Sequence, residues 1–100
     1  MENYEVKVSS TAQRDFLGVA EYLDTLPPED AALYFDKIIS GTEVLQKSPA
    51  TCSFVRDTQL RLRGYRVLAV EDYVFFFVMR EKTVEIRRVL YAKRQYEHLV

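Results

Sequence analysis

Eight arginines and two lysines stand between Arg56 and Arg94, and their placement sets what chemistry the chain can attempt. Arginine stays charged throughout the physiological pH range. Its planar fork meets phosphate or carboxylate oxygens two at a time. Arg66 follows Gly64-Tyr65 at the start of a strand-like run. Strict alternation in the last strand puts Arg88 in one row with Val84, Ile86 and Leu90, and Glu85, Arg87, Val89 and Tyr91 in the other. If neighbouring antiparallel strands bring these arginines together, they form a cationic patch. Such a patch binds phosphates and stabilises a charged phosphorane during phosphoryl transfer. The plainer reading pairs each arginine with an acid such as Asp72 or Glu85 and lays its stem over apolar surface. That reading suits any single arginine; for the group, both stand.

The tail Lys93-Arg94-Gln95-Tyr96-Glu97-His98 adds two bases, a phenol, a carboxylate and the only histidine. These types suit general acid–base work. His98 also reads as a plain exposed side chain near the end of the chain. Tyr91 and Tyr96 can donate a proton or stack on a base, or simply cover the core. Cys52 is the only cysteine, so no internal disulfide forms and a cysteine-built zinc cluster is excluded. No carboxylate–histidine set suggests a metal, and there is no Gly-rich phosphate loop or serine-nucleophile motif. No cofactor and no metal are expected.

The net charge of −1 hides a split. Residues 1–50 carry nine acids and four bases, and residues 51–100 carry six acids and ten bases. A basic half on a nearly neutral chain suggests an anionic partner, either nucleic acid or an acidic peptide, unless the two halves pair with each other. With 100 residues, 48% of them hydrophobic, the chain reads as one domain over 1–100 with a packed core. Glu2 and Glu5 interrupt any leader-like apolar start, and the apolar run Tyr73 to Met79 is too short for a bilayer. A cytoplasmic location with no membrane partner is expected.

Those residues need elements to hold them. Tyr4 to Ser9 alternates as a half-buried strand. Ser10 with Gln13 reads as a capping box, followed by an apolar stripe of Ala12, Phe16, Val19, Ala20 and Leu23. Leu26-Pro27-Pro28 ends this helix, and Pro28 opens a second, with Glu29 and Asp30 at its positive end. The second helix is expected to turn Ala31, Phe35, Ile38, Ile39, Thr42 and Leu45 inward and to stop at Ser48-Pro49. Gly41 inside it costs about 1 kcal/mol relative to alanine. The short join makes the two helices an antiparallel hairpin. After a loop over 50–57, three runs rich in β-branched and aromatic residues follow, at 65–70, 73–80 and 83–91. Glu71-Asp72 and Glu81-Lys82 are short enough for hairpin turns, although neither contains glycine. The run Val74-Phe75-Phe76-Phe77-Val78 is apolar on both faces and reads as a central strand. The fold class is α+β: an N-terminal strand, a two-helix antiparallel hairpin and a three-stranded antiparallel meander, with the helices on one face of an antiparallel sheet.

This order, with the blocks Leu62-Arg63-Gly64-Tyr65-Arg66 and Ile86-Arg87-Arg88-Val89-Leu90-Tyr91-Ala92-Lys93-Arg94-Gln95-Tyr96, resembles the RelE/ParE superfamily of toxins from type II toxin–antitoxin pairs. The resemblance implies a small cytoplasmic toxin that arrests growth and is neutralised by a cognate antitoxin. It implies one of two activities: ribosome-dependent, metal-independent mRNA cleavage on the RelE side, or non-enzymatic inhibition of DNA gyrase on the ParE side. On the RelE side, Arg66 and Arg94 match the phosphate-binding arginines, with Tyr91 or Tyr96 moving protons. Arg61, Arg63, Arg88, Lys93 and His98 would then contact RNA or another target. The positions of the RelE-side lysines carry Asp57 and Gln59. The tail from Arg88 to Arg94 resembles the ParE-side pattern Arg-Val-Leu-His-Gly-Arg-Arg, with Tyr91 and Ala92 in place of histidine and glycine. The retained arginine pair puts mRNA cleavage first, gyrase inhibition second, and a degenerate toxin that only binds its antitoxin third.

Overall fold

A computed structural model describes residues 3–92, so Lys93, Arg94, Tyr96 and His98 lie outside the described residues. β1 spans Glu5–Val8, α1 Ser10–Asp24 and α2 Pro28–Lys47. A 3-10 turn at Pro49–Thr51 and a short helix α3, Thr58–Leu62, lead into β2 at Arg66–Val70, β3 at Tyr73–Arg80 and β4 at Thr83–Tyr91. The sheet order is β1-β4-β3-β2. The architecture is the expected strand, helical hairpin and antiparallel meander. One pairing differs: β1 runs parallel to β4, so the sheet is mixed. The connection from β1 passes through both helices before the chain returns, and a long helical crossover delivers a parallel strand.

β3 is buried on both faces, as its unbroken apolar run requires. Phe75 and Phe77 point into a core shared with Ala12, Val19, Ile38 and Leu45 of the helices. Phe76, Val74 and Val78 enter a second core with Val55, Leu60 and Tyr65. The segment over 49–65, which the sequence reads only as a loop around 50–57, thus covers the second face of the sheet. Asp57 caps α3, accepting a hydrogen bond from the Leu60 N–H at 3.0 Å.

The helices sit slightly differently from their expected faces. The cap of α1 is Ser9, one residue before the expected Ser10. Its Oγ accepts from the Ala12 N–H at 3.1 Å, while the Gln13 side chain donates to the Val8 carbonyl. Ala20 is exposed. In α2 the inward positions are Ala31, Tyr34, Ile38, Gly41 and Leu45, at alternating steps of three and four. Phe35 and Ile39 lie beside that stripe and are 53% and 42% exposed. Gly41 explains the rotation. A Cβ there would come within 2.7 Å of Val70 Cγ2, so α2 rests its backbone directly on β2. Among the described residues, no helix is long and apolar enough to cross a membrane.

Candidate functional site

The last strand holds the feature that most rearranges the arginines. Phe76 pairs with Arg88 but Phe77 pairs with Ile86, so Arg87 is an extra residue and β4 bulges there. A bulge breaks alternation and re-aims the side chains beside it. Val84, Ile86 and Val89 therefore share the helix-side core, while Leu90 enters the opposite core. The expected row of Val84, Ile86, Arg88 and Leu90 is corrected accordingly. Both Arg87 and Arg88 line one pocket.

Arg88 is anchored to α1. Its Nε donates to Asp15 Oδ2 at 2.8 Å and its Nη2 to Oδ1 at 3.3 Å. The same Oδ2 accepts from the Val89 N–H at 2.9 Å. β1 pairs with β4 only as far as Ile86, so Asp15 serves as the acceptor that a longer β1 would have supplied to Val89.

Arg66 lies at the opposite side of the sheet, opposite Phe77 on β2. Its Nη1 donates to the carbonyls of Cys52 at 2.8 Å and Ala50 at 3.3 Å. Its Cζ stands 3.9 Å from the centroid of the Phe54 ring, within cation–π range. Phe54 also bridges to Arg66 through the backbone, adding one residue to the sheet edge. Arg66 thereby ties the covering segment to β2. Beside it, burial raises the Cys52 thiol pKa, and the Arg66 charge opposes that rise only partly. Arg61 and Arg63 are exposed on and just after α3.

Tyr91 ends β4 opposite Tyr73, and their rings meet edge to face with centroids 5.8 Å apart. Tyr22 and Tyr34 extend the same aromatic group. The Tyr34 hydroxyl accepts from the Asp72 N–H at 3.2 Å, and burial raises its pKa. The register places Tyr91 two strands and four residues from Arg66, roughly 10 Å across and 13 Å along. The structure therefore does not gather Arg66, Arg88 and Tyr91 into one constellation. Arg94 and Tyr96 fall outside the described residues.

What it does gather is a pocket of about 580 Å³ lined by Ser9, Ser10, Thr11, Tyr65, Glu85, Arg87 and Arg88. Ser9 fastens the start of α1 to the bulge, donating its N–H to the Ile86 carbonyl at 3.0 Å and its hydroxyl to that of Arg87 at 3.1 Å. Sequence reading did not single out Ser10, Thr11, Tyr65 or Arg87 as one group. The doubled Arg87-Arg88 is the only local hint, because alternation assigns the two to opposite faces.

A family model described as the ParE toxin of the type II toxin–antitoxin system parDE matches residues 6–96. Among solved structures, a chromosomal ParDE toxin–antitoxin system from P. aeruginosa superposes with a TM-score of 0.68 at 19% identity, over 90% of this chain and 97% of that one. The RelBE2 toxin–antitoxin complex from Mycobacterium tuberculosis superposes at 0.57 with 23% identity, over 93% of this chain and 97% of that one. No curated protein sequence matches the chain. Both superpositions place the fold on the RelE/ParE side of protein architecture, and the family match spans nearly the whole sequence: the chain belongs to the ParE toxin family of type II toxin–antitoxin systems.

Proposed function

We propose that this toxin arrests growth by binding its target, DNA gyrase, without cleaving RNA, and that a cognate antitoxin neutralises it. The observation that carries the reading is the engagement of Arg66. Its Nη1 is bound to the carbonyls of Cys52 and Ala50 and its Cζ lies over the Phe54 ring, so the side chain is held on the covering segment, where an RNA-cleaving site needs a cation turned toward a scissile phosphate. The positions that match the RelE-side lysines hold Asp57, which is occupied as the cap of α3, and Gln59. Membership of the ParE family supports the same order of preference. This reverses the order drawn from the sequence, where the arginine pair alone favoured cleavage.

The test is induction of the wild-type chain in cells lacking the antitoxin, followed by growth, protein synthesis, mRNA integrity and DNA-damage signalling, with a gyrase supercoiling assay on the purified chain. Arrest with DNA damage, intact mRNA and lost supercoiling is the expected result. Rapid loss of translation with cut mRNA overturns the proposal in favour of the ribosome-dependent nuclease. Continued growth despite folded, soluble protein overturns both toxic mechanisms.

A further inference from the structure

We propose that α3 and the turn after it form the surface by which this toxin docks on an acidic face of its target protein, an assignment that rests on the proposed function. Residues 49–65 carry three arginines, Arg56, Arg61 and Arg63, and a single acid, Asp57. The Asp57 carboxylate is committed to the Leu60 N–H as the cap of α3. All three arginines are exposed, and none of them makes an ion pair or a side-chain hydrogen bond among the described residues. Arg66, Arg87 and Arg88 differ, each being engaged by carbonyls or a carboxylate. An unpaired guanidinium keeps its whole fork for the carboxylates of a partner.

Leu62 is the independent sign of a protein partner. It stands between Arg61 and Arg63 and is 82% exposed, more than any other large apolar side chain among the described residues. Local structure holds it there. The Gly64 N–H donates to the Arg61 carbonyl at 2.9 Å and the Tyr65 N–H to that of Leu60 at 3.1 Å, with Gly64 at a φ of 84°. Such a glycine-closed helix end is usually fastened by an apolar contact across the turn. Here Leu60 and Tyr65 both enter the far-face core. Two buried anchors and the Asp57 cap thus fix α3, and Leu62 is presented on a firm base.

A leucine held between two unpaired arginines fits an apolar notch rimmed by acids. The leucine supplies apolar area at the centre of such a contact, and the arginines pair with the rim and steer the approach. A nucleic-acid backbone would offer phosphates to the arginines and nothing that buries Leu62. The position of this Arg-Leu-Arg knob points the same way. Leu60 packs with Phe76 on one face of the sheet, whereas α1 and α2 pack with Phe75 and Phe77 on the other. A target seated on the knob therefore leaves the helical hairpin open to a second protein.

The measurement is binding of the purified chain to DNA-free gyrase at low and moderate salt, alongside supercoiling inhibition and capture by the antitoxin. The wild type should bind, and more weakly as salt rises. Leu62→Asp should weaken binding about tenfold or more, as loss of a central anchor does. Arg61→Gln with Arg63→Gln should weaken it about tenfold and flatten its salt dependence. Lys37→Gln, an exposed cation on α2, should change neither. Every variant should keep its melting transition and its capture by the antitoxin, since none alters Val55, Leu60 or Tyr65. A wild type that neither binds gyrase nor inhibits it overturns the proposed function and this assignment together. A wild type that binds, with both knob variants binding equally well, overturns the assignment alone. So does a knob needed only for duplex DNA, or only for the antitoxin, while gyrase binding stays intact.

Discussion

Arg66 and Arg88 have similar sequence surroundings, each an arginine in a strand-like run, and opposite fates in space. Arg66 holds a covering segment onto a sheet edge, and Arg88 closes a bidentate pair with Asp15. Charged hydrogen bonds to carbonyls contribute about 1.5–3 kcal/mol each where they are buried and less where water competes, with about 0.5–1 kcal/mol from an exposed cation–π contact. Arg66→Ala should therefore lower stability by about 1–3 kcal/mol, read as a drop in urea midpoint at unchanged slope. An unchanged midpoint together with lost toxicity would transfer Arg66 from scaffold to target contact and revive the nuclease. The sequence marks Arg66 as unusual but cannot name its partners. Ala50, Cys52 and Phe54 lie in a stretch with no period, and only the folded return of that stretch onto β2 brings them to the guanidinium.

At the scale of elements, the legible parts were those with a strong period or composition. The meander follows from β-branched and aromatic runs, and the two turns follow from their length. Those turns work without glycine because Glu71 and Glu81 adopt φ of 53° and 54°. Less legible was anything set by contact between elements: the parallel pairing of β1, the bulge at Arg87 and the rotation of α2. The last depends on Gly41, which has a simple consequence. Alanine is the better helix former by about 1 kcal/mol, so an exposed Gly→Ala change would stabilise. Here the new methyl meets Val70 Cγ2 at 2.7 Å, and a β-branched side chain in the core has little room to turn away. Gly41→Ala should thus destabilise by about 1–2 kcal/mol. Combined with Val70→Ala, it should cost less than the two single changes added together. Additive losses in that double-mutant cycle would mean that α2 does not rest on β2 at this point.

For the whole molecule, the acidic helical half and the basic strand half are joined where Arg88 of β4 pairs with Asp15 of α1. The helices carry exposed apolar residues besides their acids: Leu17 and Leu33 are 65% and 64% exposed, and Phe35 and Ile39 stand one turn apart on α2. Large exposed apolar side chains that recur on one hairpin are what a protein partner buries. An amphipathic helix laid along a groove is a common way to do so. Under the proposed function that partner is the antitoxin. Phe35→Glu with Ile39→Glu should leave the isolated domain folded, since neither side chain belongs to a core and surface changes typically stay within about 0.5 kcal/mol each. The pair should nonetheless abolish co-purification with the antitoxin, so that cells expressing both proteins stop growing. Were capture retained, the antitoxin would have to bind elsewhere, and the outer edge of β2 beyond Val67 is the surface its geometry leaves open to an added strand. Capture lost together with the melting transition would instead place Phe35 and Ile39 in the fold's own stability, against their exposure.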